Sequence, residues 1–218
     1  VPASGPKPAE PPHECPLCPR LVAYRTALRA EEPAWFNAPV PSFGADDARL
    51  LVVGLAPGRG GANRTGRPFT GDYAGEVLYP ALLKHGFARG YFGARPDDGL
   101  ALVDCMITNA VRCVPPENKP TGAEITACRP FLAARLAALP RLKVILALGR
   151  IAHDSTLTAL GAKRSAAAFA HASAVELEGP HGPVALVSSY HCSRYNVNTK
   201  RLTAEMFDAA VALAKSCL

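Results

Sequence analysis

The chain lacks any run of apolar residues approaching the ~18 that a membrane-spanning helix requires, so such a helix is excluded. Aromatic residues are scarce at 7%, with a single tryptophan, so the core must be built mainly from aliphatic side chains. The first residues, Val-Pro-Ala-Ser-Gly-Pro, have neither the basic nor the apolar stretch of a secretory leader. A cytoplasmic protein with no membrane partner is therefore expected. No internal repeat is visible. What the 218 residues do have is 49% apolar side chains, which excludes an intrinsically disordered chain. Twenty-one prolines and 18 glycines imply many rigid turns, so the loops are expected to carry function. Twenty-four Lys and Arg against 18 Asp and Glu give a net charge of +6, which fits a polyanionic partner.

Seven cysteines, an odd number without a leader, argue against a disulfide framework. Cys15-Pro-Leu-Cys18 is a knuckle that can aim two thiolates at one metal, and Cys113 and Cys128 can complete a set of four. Such a set suits either zinc or a [4Fe–4S] cluster. A redox-active C-x-x-C pair competes, but no strand leads into it. Four unrelated buried thiols are the plain alternative. Cys105 lies in an apolar run and reads as core, and Cys217 as a tail thiol.

The first 14 residues hold five prolines and few apolar anchors, so residues 1–14 read as a disordered arm and 15–218 as one domain. Runs rich in Val, Ile and Leu at 50–55, 102–107, 144–148 and 184–188 predict four buried strands. Helical patterns cover 21–29, 76–85, 124–139, 150–160 and 203–215. The stretch 165–174 reads as a low-information helix or loop. This alternation predicts a single α/β domain with a central, mainly parallel four-stranded sheet flanked by helices on both faces. Ligands of such sheets sit beyond the strand C-termini. The segment 54–72, Asn109, Gly149 and the segment 190–199 should meet there.

Residues 54–72 contain glycines at 54, 58, 60, 61, 66 and 71, which let a backbone approach a ligand closely. A phosphate loop is disfavoured, because Arg67-Pro68 stands where Lys-Ser/Thr is required. The dinucleotide fingerprint fails at Asn63. Phe69 is either a core anchor or a platform for a base. Asp72 has the commoner role of a helix cap open to it as well. Further along, Tyr190-His191-Cys192-Ser193-Arg194-Tyr195-Asn196 and Lys200-Arg201 combine aromatic and basic side chains, suited to phosphates and stacked bases or, more plainly, to a solvated loop.

Taken together, these residues resemble the iron–sulfur uracil-DNA glycosylases of family 5, the B type. Gly54-Leu55-Ala56-Pro57-Gly58, continuing through Gly61, Arg64-Thr65-Gly66 and Pro68-Phe69-Thr70-Gly71-Asp72, is similar to that family's first motif. Family 4 carries Glu where Leu55 stands. His191-x-Ser193-x-x-Asn196 is similar to the last motif, and Cys15, Cys18, Cys113 and Cys128 match the cluster ligands in order. The resemblance runs over almost the whole chain. One departure is Cys192, where a proline is usual.

The resemblance implies a DNA repair enzyme of bacterial or archaeal type. Such an enzyme flips out uracil, and other deaminated bases such as hypoxanthine, and hydrolyses the N-glycosidic bond. It implies a [4Fe–4S] cluster on the four cysteines, with zinc as the alternative. The partner would be double- and single-stranded DNA, and the enzyme a monomer. His191 would donate a hydrogen bond to the leaving base. Asp72 would orient water and balance the sugar cation. Asn109 would read the amide edge of the base, and Phe69 would stack on it. Gly54, Ala56, Pro57 and Gly58 would line the base site, with Asn196 shaping the last loop. Arg64, Ser193, Arg194, Tyr195 and Lys200 would contact DNA. The rival expectation is a non-catalytic DNA-binding protein with a structural metal knuckle.

Overall fold

The computed structural model describes residues 9–218. Helix α1 (Pro19–Glu31) leads through a two-residue strand β1 (Phe43–Gly44) to β2 (Leu50–Gly54). The loop beyond β2 holds a short helix α2 (Ala62–Thr65) and enters α3 (Tyr73–Lys84). A small hairpin of β3 (Ala88–Arg89) and β4 (Ala101–Leu102) precedes β5 (Cys105–Asn109). Then come α4 (Gly122–Ala137), β6 (Val144–Leu148), α5 (Arg150–Ala159), β7 (Ser173–Gly179) and β8 (Gly182–Ser189). Helices α6 (Arg194–Asn198) and α7 (Ala204–Ser216) close the chain.

Every residue of β2, β5 and β6 is buried, because both faces of these strands are covered. Alternate side chains point to opposite faces. Leu50 and Val52 pack with Leu78 and Leu82 of α3 and Phe207 and Val211 of α7. Leu51 and Val53 pack with Leu132 and Leu136 of α4 and Leu157 of α5. No helix of the described residues is long and apolar enough to cross a membrane.

The sheet runs β1-β5-β2-β6-β8-β7, with β5, β2, β6 and β8 mutually parallel and both edge strands antiparallel. It thus has six strands where the sequence predicts four. β1 is too short to leave a pattern, and β7 alternates between half-buried and exposed residues, as a strand open on one side does. The strand expected at 102–107 is displaced to Cys105–Asn109. Asp104 adopts a left-handed φ of 50° and its carboxylate bonds the backbone and side chain of Arg49, which separates β4 from β5. The C-termini of the parallel strands end level, with Gly54 opposite Asn109 and Leu148 opposite Ser189.

The arm expected over residues 1–14 falls, for 1–8, outside the described residues. The remainder is docked: the Glu10 carboxylate bridges Arg112 and Arg135, at 2.8 and 2.7 Å. Arg29 binds Glu14 through both terminal nitrogens.

Candidate active site

At the level edge of the sheet, Ala56, Pro57, Gly58, Ala62, Phe69, Asp72, Ala74, Asn109 and His191 line a small cavity. The first motif, the end of β5 and the loop after β8 therefore meet as the topology requires. Gly54, expected in the lining, instead sits behind it and makes room for two residues that do line it: a Cβ there would lie 2.3 Å from Asn109 Oδ1 and 2.6 Å from Phe69 Cζ. Asn109 is 3% exposed, and its Oδ1 is buried without a hydrogen-bond partner. A buried carbonyl oxygen left in this state favours a ligand that brings an N–H to it.

Phe69 has a φ of 52°, a strained conformation for an aromatic residue. Its neighbours enforce it. Tyr79 donates its hydroxyl to the Pro68 carbonyl at 2.6 Å, and Thr65 bonds the Thr70 carbonyl at 3.0 Å. Arg67 holds Thr70 through Nε and clasps Asp98 with both terminal nitrogens, at 2.9 and 2.7 Å. That ion pair is buried on both sides, and its guanidinium also lies over the rings of Phe43, Tyr79 and Phe92. The Phe69 ring consequently faces His191, with centroids 6.1 Å apart and planes 27° apart. Phe69 is thus both buried and a wall of the cavity, which joins the two readings that its sequence context left open.

Asp72 is the N-cap of α3, accepting the Gly75 N–H on Oδ1 at 3.2 Å. Oδ2 lies beneath Gly58 and Gly61. A Cβ would come within 3.1 Å of it at position 58 and 2.2 Å at position 61. The glycines of the motif thus make room for a carboxylate. Burial pushes the Asp72 carboxyl above the ordinary range, partly offset by the Gly75 and Ala74 amides, with Glu76 adding to the rise.

Burial pulls His191 down to about 4, so its imidazole is neutral at neutral pH. Its loop is fastened residue by residue. The Gly149 N–H bonds the Ser189 carbonyl at 2.8 Å, and the Asn196 side chain donates to the His191 carbonyl at 2.8 Å. Cys192 is fully buried, and its thiol faces the Ala74 carbonyl at 3.5 Å. A buried thiol bonded to α3 thus anchors the loop where a proline would otherwise stiffen it.

The residues expected on DNA lie in the two segments that supply most of the lining, Arg64 in 54–72 and the others just after His191. Ser193 caps α6 through the Asn196 N–H, and Arg194 lies over the Tyr73 ring at 5.3 Å. Tyr195 is 73% exposed, and Lys200 is exposed with a φ of 56°. Arg64 instead folds back to the Gly60 carbonyl, with Nη2 close over Gly71.

Cys15, Cys18, Cys113 and Cys128 line one narrow pocket behind this site. Ala56 belongs both to the cavity beside Asp72 and to the apolar cluster around these cysteines. Arg25 donates to Cys113 Sγ, and the Arg112 N–H to Cys128 Sγ, each at 3.3 Å. Both guanidinium groups are almost fully buried, and their Nε atoms have no partner. Burial pushes Cys113 up to about 11 and Cys128 to about 12, with positive charge from Arg25 and Arg112 working the other way. No three His, Cys, Asp or Glu among the described residues are grouped as a single metal ion would need.

The family model for the uracil DNA glycosylase superfamily matches residues 41–215. The type-5 uracil-DNA glycosylase of Thermus thermophilus is 45% identical over 207 residues, covering 92% of each chain. The chain belongs to this superfamily, within its type-5 group. The type-5 relative from Pyrobaculum aerophilum is 42% identical over 88% of this chain and 83% of its own. A type-4 relative from the same organism is 35% identical over 56% of this chain and 55% of its own. Leu55 is half-buried and stands next to Ala56 of the cavity lining. The sequence motifs name Ala56, Pro57, Gly58, Phe69, Asp72, Asn109 and His191 of the lining but not Ala62 or Ala74, and Asn196 lies outside it. They miss Arg67–Asp98, which leaves no local signal across 31 positions, and the two arginines beside the cysteines.

Proposed function

We propose that the protein is a monofunctional uracil-DNA glycosylase that works as a monomer in the cytoplasm on single- and double-stranded DNA. The observation that carries this reading is the meeting of an unpartnered Asn109 amide oxygen and the Asp72 carboxylate in one cavity. An extruded uracil offers its N–H to Asn109 Oδ1 and its ring face to Phe69. As the C1′–N bond breaks, its electron pair leaves with the base and cationic character develops on the sugar. Asp72 Oδ2 balances that charge and orients the water whose oxygen bonds C1′, and the proton that this water gives up neutralises the departing base anion. Neutral His191 donates a hydrogen bond to the base oxygen that gathers negative charge. Exposed Arg194, Tyr195 and Lys200 hold the phosphates, a term that weakens with salt.

The test is base release from end-labelled single- and double-stranded oligonucleotides carrying one uracil, hypoxanthine or xanthine. Strand cleavage that requires both the modified base and alkali is expected, first with uracil. DNA binding without cleavage would instead identify the non-catalytic binding protein.

We propose that the four cysteines hold a [4Fe–4S] cluster rather than zinc. Four thiols from three segments meet around one pocket, the donor set that such a cluster takes. The buried Arg25 and Arg112 supply positive charge for an anionic four-thiolate group. The hydrolysis is redox-neutral. When bound, the cluster ties the Cys15–Cys18 knuckle to the segments carrying Cys113 and Cys128, behind Ala56. Replacing Arg25 with Leu is expected to weaken iron retention against a chelator about 10- to 100-fold, read by visible absorbance and iron content. Unchanged retention would remove Arg25 from that role.

A further inference from the structure

The residue before His191 is held by a side chain from the stretch that carries least information in the sequence. His171 Nδ1 accepts the backbone N–H of Tyr190 at 3.2 Å, and the two rings stack with centroids 4.9 Å apart and planes 11° apart. Arg201 lies over the Tyr190 ring at 4.8 Å. Ser189 Oγ stands 3.4 Å from the same His171 nitrogen and bonds the Tyr190 carbonyl at 2.9 Å. His171 is itself fixed, because the next residue, Ala172, donates its N–H to the Ser188 carbonyl at 2.8 Å.

The geometry points to His171 as a positioning residue that sets the orientation of His191 by capturing the Tyr190 N–H. At the end of β8 the chain leaves the sheet, and the Tyr190 amide loses its ladder partner. An amide without an acceptor in a half-buried site costs free energy and leaves its peptide plane free to rotate. The Tyr190 φ and the preceding peptide plane set the direction in which His191 leaves the strand. His171 thus fixes one side of His191 and Asn196 the other, through its bond to the His191 carbonyl. Only a ring unprotonated at Nδ1 can accept this bond. Burial lowers the His171 pKa and favours that form, although the backbone of Met206 acts in the opposite direction.

This inference rests on the role of His191 proposed above, and two variants isolate it. His171→Asn keeps an acceptor oxygen near the position of Nδ1 but loses the ring. His171→Phe keeps a flat ring on Tyr190 but loses the acceptor. Single-turnover uracil release at saturating enzyme, DNA affinity and thermal midpoint are measured for both, beside the NMR signals of the His191 imidazole. His171→Phe is expected to slow base release about tenfold, with DNA affinity unchanged and His191 signals displaced; His171→Asn should stay within about twofold of the parent. Equal rates for the Phe variant and the parent would overturn the inference. So would equal losses in both variants, or a loss that follows DNA affinity or the thermal midpoint. If the parent releases no base, the glycosylase reading fails. The NMR comparison still decides whether His171 orients His191.

Discussion

Replacing Asp72 with Asn is expected to slow single-turnover uracil release at least about a hundredfold, the range lost when a positioned charged group leaves a reacting centre. DNA affinity and the thermal midpoint should change little. Asn is as good an N-cap as Asp, so it keeps an oxygen for the Gly75 N–H and fits the same space beneath Gly58 and Gly61. What it removes is the negative charge on Oδ2. The pH profile gives a second check. Burial raises the folded pKa of Asp72, so its charge is complete above that value and lost as pH falls through it. The acid limb of the parent should therefore lie above the pH at which an ordinary Asp titrates, and Asp72→Asn should lack that limb. His191, at about 4, remains neutral through most of this range. A variant with near-parental rates would remove Asp72 from the chemistry.

Replacing Asp98 with Ala is expected to destabilise the protein by about 3–5 kcal/mol, the cost of leaving one charge of a buried pair uncompensated. Arg67 and Asp98 are 6% and 1% exposed, and Asp98 also accepts the Gly93 and Leu100 N–H groups. The Arg67 hydrogen bonds hold the Asp98 carboxyl far below the usual range. A depressed folded pKa stabilises fully above the unfolded value of about 3.9 and loses that contribution as pH falls toward the folded value. Denaturant unfolding between neutral and acid pH should show this loss in the parent and not in the variant. Because Arg67 also holds Thr70, the variant should lose base release at temperatures where it is still folded. A cost under about 1 kcal/mol would mean that solvent already reaches the pair.

The elements legible in the sequence were the strands covered on both faces and the helices with one buried stripe. Residues 144–148 form β6 with the bounds their composition predicts, and 150–160 differs from α5 by one residue. β7 went unread because its alternation of Ser, Val, Leu and Gly with Ala and two Glu is that of an edge strand, and the Ala-rich run before it masked the start. The break between β4 and β5 depends on one torsion at Asp104 and its bonds to Arg49, which no composition records. In the cavity, the glycines and Phe69 were recognisable as a motif, but not the reason for each glycine. The need for Gly61 comes from a carboxylate 11 positions later, and the Tyr190 N–H finds its acceptor 19 positions earlier. Such contacts exist only once the sheet has brought the loops together.

The left-handed backbone at Phe69 leaves the chain with a competition between durability and chemistry. Glycine would adopt that φ freely, whereas a side chain in such a region costs about 1–3 kcal/mol. Selection for heat resistance alone would therefore favour relaxing position 69. Selection for activity holds the ring there against the local preference of its own backbone. The dense bonding of Thr65, Arg67 and Tyr79 around it can be understood as the accumulated settlement between those two pressures.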